Sequence, residues 1–168
     1  MIAAVAAPQI KDGTLRMLAW ARLWSPLSDE PTLRATWDAL GLAGDFDDVR
    51  IDYWNAFHAG IPQPPVPVLV HALAQRDAGT VREDLLRVAE YLEVEVGEHR
   101  LPPDHLGSVC ELFALGLERE DPVLITGLRE RHLRPWIEAA AVALAGRPAL
   151  SALLACFADD VDSAADHC

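Results

Sequence analysis

The sequence has almost no lysine. Lys11 is the only one, against 14 Lys plus Arg in all, so the positive charge is carried by arginine. Basic residues of either kind are outnumbered by 26 Asp plus Glu, for a formal net charge of -12. Such a surface repels nucleic-acid phosphates and anionic lipid heads. It favours basic partners, Arg-bearing peptides among them.

Cysteine is scarce. Cys110, Cys156 and Cys168 are too few and too scattered for a disulfide framework, which fits a reducing compartment. Cys110 and Cys156 lie in apolar helical patterns and read as buried thiols. No uninterrupted apolar run approaches the roughly 20 residues that span a bilayer. Met1 to Ile10 is apolar but short and has no basic flank, so it does not read as a secretory signal, and residues 1–12 read as a loose leader. These features predict a cytoplasmic protein without membrane insertion.

Chemical motifs are missing too. There is no G-x-S-x-G, no H-E-x-x-H, no C-x-x-C and no Gly-rich phosphate loop. Cys110 follows His105 by five residues, so on a helix the two point apart. His167-Cys168 with Asp160, Asp162 and Asp166 reads as part of an acidic tail over residues 159–168 rather than as a metal site. Neither strand-like alternation nor a fixed-period repeat is present. No cofactor is implied.

What is present is helical. At 168 residues, 51% of them hydrophobic, the chain is most simply one domain over 1–168. The pattern predicts an all-α single-domain bundle of about eight helices. Thr14 opens the first, with Leu15, Leu18, Ala19 and Leu23 on one face. Pro31 begins a second, closed by Gly41 or Gly44. Residues 45–60 start acidic and become aromatic. Four prolines between Pro62 and Pro67 make a stiff, extended connector. Val66 to Gln75 resumes as an apolar helix, and Thr80 with Glu83 forms a capping box for the next. Val123 to Leu133 is a shorter helical piece, Pro135 restarts a helix, and Pro148 starts the last.

The chain is organised around Leu101-Pro102-Pro103-Asp104-His105-Leu106. From here Leu106, Val109, Cys110, Phe113 and Leu117 form one stripe of a helix over 104–118. Pro103 suits its first turn. Asp104 falls near the free N–H groups, and the helix dipole disfavours the charged form of His105. The plain reading is capping. The sharper one is a polar recognition point beside an apolar groove, with Asp104 and Glu111 seven residues apart on one side as an acidic strip for arginines. Tyr53, Trp54 and Phe57 are most simply core. Their place before the proline-rich loop also allows an exposed aromatic groove. His132 reads as a buried histidine bonded to a backbone carbonyl, and Trp136 as core.

Taken in order, three elements resemble the TorD/DmsD/NarJ family of cytoplasmic maturation chaperones. They are Tyr53-Trp54-Asn55-Ala56-Phe57-His58-Ala59-Gly60 with its Pro62–Pro67 loop, Leu101-Pro102-Pro103-Asp104-His105-Leu106, and His132-Leu133-Arg134-Pro135-Trp136. The resemblance covers roughly residues 14–160. Where relatives often show Leu-Phe-Gly-Pro, this chain reads Ala56-Phe57-His58-Ala59-Gly60-Ile61-Pro62. The resemblance implies a monomer or homodimer without catalysis. It implies binding to the catalytic subunit of a molybdopterin oxidoreductase before cofactor insertion, in many cases through a twin-arginine signal peptide. Carried over, the client site would be Tyr53, Trp54, Phe57, Pro103, Asp104 and His105, with Glu111 beside them. Two other classes stay open: a helical ligand-binding or regulatory domain with a small-molecule pocket, and a hydrolase using Asp104-His105.

Overall fold

The computed structural model describes residues 12–95 and 101–166, and the elements among them are helices apart from one isolated β-bridge. Residues 1–11 of the expected leader and the His167-Cys168 pair lie outside the described residues, whereas Asp12, the last of that leader, is a helix cap. The chain is all-α, as its patterning predicts.

Helix α1 (Gly13–Trp24) is capped by Asp12, whose carboxylate accepts from the Leu15 N–H at 3.0 Å. Its buried face is Met17, Trp20, Ala21 and Trp24, with Leu23. Leu15, assigned to the core by the leucine spacing, is 54% exposed. The two tryptophans win the interior because they remove more apolar area from water than the leucines do. Helix α2 (Glu30–Leu40) is capped by Asp29 and closed by Gly41 at φ 70, a left-handed geometry that glycine adopts without strain. Helix α3 (Phe46–Phe57) begins at Asp45.

After α3 the proline-rich loop packs back on the body. Val66 donates its N–H to Ala56 O at 3.0 Å, and Val66 and Val68 are buried. Pro67 O accepts from the Trp136 indole at 3.0 Å. The helix expected over Val66–Gln75 is only the single turn α4 (Val70–Leu73). The reason lies in pairing. Leu69 forms an antiparallel β-bridge with His105, through Leu106 N to Val68 O at 2.7 Å and Val70 N to Asp104 O at 2.9 Å. Those backbone groups are thereby committed to extended geometry.

Helix α5 (Ala78–Tyr91) is capped by Asp77, which accepts from both the N–H and the hydroxyl of Thr80. The helix start expected at Thr80 therefore lies one turn earlier, with Asp77 as a simple cap in place of the capping box, and Gly79 lies inside the helix. Helix α6 (Leu106–Glu118) is two residues shorter at its start than expected. Helices α1 and α6 make the most extensive contact and run antiparallel: Gly107 faces Ala21 while Gly13 faces Leu117.

Helix α7 (Pro122–Leu128), a π-helical stretch (Arg129–Leu133) and α8 (Arg134–Ala143) run on without a break. Pro135 has no N–H to give the Arg131 carbonyl one turn earlier. The Arg76 guanidinium donates to that carbonyl instead. The wider turn, with Arg134 N–H reaching Arg129 O, accommodates the proline ring. Helix α9 (Pro148–Asp166) replaces the frayed tail expected from residue 159. It is held because Val161 is buried and Asp160 accepts from both the Arg16 guanidinium and the Trp20 indole, each at 2.7 Å.

At the centre, Trp24 packs its ring against Trp20, Phe57, Trp136 and Phe157, with centroids 5.1–5.7 Å apart. Offset and edge-on aromatic pairs of this kind add to the stability that burial alone gives.

Candidate functional site

One face of α6 is buried and the adjacent face is open. Ser108, Glu111, Leu112 and Leu115 follow each other at helical spacing on that open side. Leu18 of α1 lies beside them, with Ser25 and Leu27 just beyond the end of α1. Leu85 and Ala89 of α5 stand opposite. Val94, Leu101 and Pro103 complete the wall. The result is a groove of about 430 Å³ with a mostly apolar lining. Leu27, at its lip, is 72% exposed. Glu111 puts a solvent-exposed carboxylate at the same lip.

Of the residues that the sequence points to, Pro103 and Glu111 line this groove. Asp104 does not. It has no exposed surface, and its carboxylate caps no helix N–H. One oxygen meets Nδ1 of His71, and the other accepts from Arg82 Nε at 2.8 Å. The expected acidic strip of Asp104 and Glu111 is thus not formed. Asp104 precedes the helix cap, so helical spacing does not apply to it, and its two oxygens are already held within the chain.

His105, and not Asp104, caps α6. Its Nδ1 accepts from the Gly107 N–H at 3.0 Å, which leaves the proton on Nε2. Burial pushes its pKa down to about 4, with Asp104 opposing weakly. The imidazole is neutral, as expected, but the cause is desolvation. His58 lies close by and is also pushed down to about 4, by burial first and by His105 second. Asp104 and His105 are adjacent in sequence, yet their side chains are engaged separately. This is not the geometry of an acid–base pair.

Tyr53 and Phe57 are fully buried. The Tyr53 hydroxyl donates to the Leu23 carbonyl near the end of α1 and lies 3.3 Å from His58 Nε2. Burial raises its pKa. Trp54 is half-buried, its ring 4.7 Å from that of His58. The exposed aromatic groove expected from these three residues is not present, because two of them belong to the α1–α3 core. His132 is buried and contacts Asp84 Oδ2 at 2.8 Å in place of the expected carbonyl. Burial lowers its pKa in spite of that carboxylate. Burial raises the Cys110 thiol well above its ordinary value.

Several residues of the site carry no mark in the sequence. Leu27 sits in an unpatterned turn, and Arg82 and His71 are joined to Asp104 only by the fold. The one available signal was the second stripe of α6, Ser108–Glu111–Leu112–Leu115, which the stronger core stripe overshadows. Among the described residues no group of three or more His, Cys, Asp or Glu could hold a metal ion. None of the described helices is long and apolar enough to cross a membrane.

No protein-family model, curated protein or solved structure matches this chain.

Proposed function

We propose that this protein is a binding protein that holds an apolar, arginine-bearing segment of a client in the groove between α1, α5 and α6. In the terms of its motif resemblance, it is a cytoplasmic chaperone for the catalytic subunit of a molybdopterin oxidoreductase. The client is held, by its twin-arginine signal peptide or its apo-form, until the cofactor is inserted. One observation carries the reading: the Leu101–Pro103 stretch that bears the resemblance is also the rim of the open apolar groove. Glu111 at the lip and the net charge of -12 suit a peptide that couples arginines to an apolar run.

The direct test is co-purification. The tagged protein is expressed in its own host under respiratory growth, and the partners are identified by mass spectrometry. A molybdopterin catalytic subunit among them supports the proposal. A clean preparation from cells that make such a subunit overturns it.

A second reading has its own observation. A groove of about 430 Å³ falls in the size range of small-molecule pockets, roughly 300–1,000 Å³. Native mass spectrometry of the purified chain separates the two. A small apolar molecule retained at fixed stoichiometry favours the ligand-binding domain.

A further inference from the structure

Asp104 touches no part of the groove, yet it joins two of the elements that form it. It follows Pro103 on the rim directly in sequence. Its own backbone carbonyl is pinned by Val70. Its carboxylate is buried and reaches outward to α4 through His71 and to α5 through Arg82. Arg82 is the key arm. It shares a helical face with Leu85 and Ala89, the two groove residues of α5, at i, i+3 and i+7. Core packing of Val81, Leu85 and Leu92 seats the helix, and whatever fixes Arg82 adds a tie between that wall and the Leu101–Pro103 rim.

The other ties of α5 lie elsewhere on the helix. Asp84 pairs with His132 and with Arg131 at 3.2 Å. At the far end, Tyr91 Oη donates to Asp121 at 2.8 Å and Arg119 donates to Leu92 O at 2.7 Å. Only the Arg82–Asp104 pair links α5 to the rim loop among these contacts. Its two ends differ: the carboxylate is wholly enclosed, whereas the Arg82 side chain is 43% exposed. A buried carboxylate holds a geometry that an exposed one does not, since no water competes for its oxygens.

We infer that Asp104, His71 and Arg82 form a clasp that sets the width of the groove, with Arg82 as a positioning residue for the arginine-bearing apolar segment that the groove and its Glu111 suit. The inference rests on the groove being the binding site. Preorganising a site in this way raises affinity by lowering the ordering that binding demands, without a contact of its own.

The experiment is a fluorescence-anisotropy titration of the full chain. The probe is a fluorescein-labelled peptide with an Arg-Arg pair followed by an apolar Leu/Ala run. Four variants are compared: Arg82→Ala, Arg82→Lys, Arg34→Ala, which breaks exposed pairs with Glu30 and Asp47 away from the groove, and Leu27→Glu on the groove lip. Circular dichroism verifies folding at the titration temperature.

The expected result is at least a ten-fold weaker Kd for Arg82→Ala, partial recovery with Arg82→Lys and an unchanged Kd for Arg34→Ala. A loss of affinity in an Arg82→Ala protein that circular dichroism shows to be folded separates positioning from a loss of fold, and the Arg34 variant controls for removing an arginine elsewhere. If the wild type binds, Leu27→Glu does not, and Arg82→Ala binds as the wild type does, the clasp is overturned while the groove stands. If the wild type fails to bind, or Leu27→Glu binds equally well, the groove reading falls and the clasp falls with it. Should Arg82→Ala not fold, Arg82→Lys carries the test alone: a several-fold loss supports the clasp and an unchanged Kd rejects it.

Discussion

Gly107 lies so close to the end of α1 that a Cβ built on it would stand 3.0 Å from the Ala21 carbonyl oxygen and 3.2 Å from Nδ1 of His105. Neither neighbour is a free side-chain tip. One is backbone, and the other is the nitrogen that caps α6. Gly107→Ala gains up to about 1 kcal/mol of helix propensity. Against this, overpacking at a rigid contact costs roughly 1–3 kcal/mol. The overpacking prevails where α1 and α6 make their main contact, so a net loss of stability is expected. Urea denaturation of the two proteins measures it, and equal midpoints would refute the argument.

Tyr53 provides a test of where the binding surface is not. Tyr53→Phe keeps the ring among Phe46, Trp54 and Phe57 and removes the hydroxyl's bond to the Leu23 carbonyl together with its weaker contact to His58. Losing a buried hydrogen bond of this kind costs about 1–2 kcal/mol, in part because the carbonyl is left short of a partner. Thermal unfolding should fall accordingly, while affinity for the Arg-Arg apolar peptide stays as it was. A weakened peptide affinity in a folded Tyr53→Phe protein would return the aromatic residues to the site.

Asp104→Ala makes a different demand. The sequence alone suggests a surface contact whose loss leaves the fold untouched. The buried position suggests otherwise. Alanine abandons the bonds to His71 and Arg82 and leaves a void behind the rim. A loss of roughly 1–3 kcal/mol is expected, because Arg82 recovers hydration readily. Chemical denaturation reads this directly, and an unchanged stability would contradict the geometry.

Acid should loosen the junction between α3 and α6. His58 and His105 both titrate near 4 in the folded chain, below the value of about 6.5 that they take when unfolded. Between those limits the unfolded chain binds protons that the folded chain refuses. Stability is therefore complete above about pH 6.5 and declines as the pH falls toward 4. The decline is at most roughly 3 kcal/mol for each imidazole. Urea midpoints measured at several pH values across this window follow it. In a His58→Gln protein the slope should flatten, and an identical slope would remove His58 as a cause.

The helical class, and most of the helices, were legible because their signals are local. A 3.6-residue stripe, a proline in a first turn and a glycine at a helix end are all contained within a few residues. The places where the reading shifts are those decided by distant partners. Residues 66–69 carry a helix-like apolar pattern, but Val66 bonds back to Ala56, and Val68, Leu69 and Val70 pair with the segment around His105, far along the chain. Leu15 matches the leucine spacing of α1, but tryptophans at Trp20 and Trp24 turn that helix another way. Residues 159–166 look like a solvated tail, and Arg16 with Trp20 hold them in place. The groove was only half visible. Pro103 and Glu111 stood out because a Pro-Pro turn and an acidic helix face are local facts. Arg82 did not, because its partner lies on another element and nothing in its neighbourhood announces a buried carboxylate.

The bridge between Leu69 and His105 has a consequence for how this chain can vary. It joins two points that are distant in sequence, so the intervening stretch is an excursion closed at its base. Changes in length at the exposed turns of such a closed excursion cost little loop-closure entropy. They act on the wall that Leu85 and Ala89 give to the groove. The excursion is still anchored in the core by Val81, Leu85 and Ala89 and tied to His132, Asp121 and Arg119, so its exposed positions, and not its buried face, are where sequence can vary to suit a different occupant.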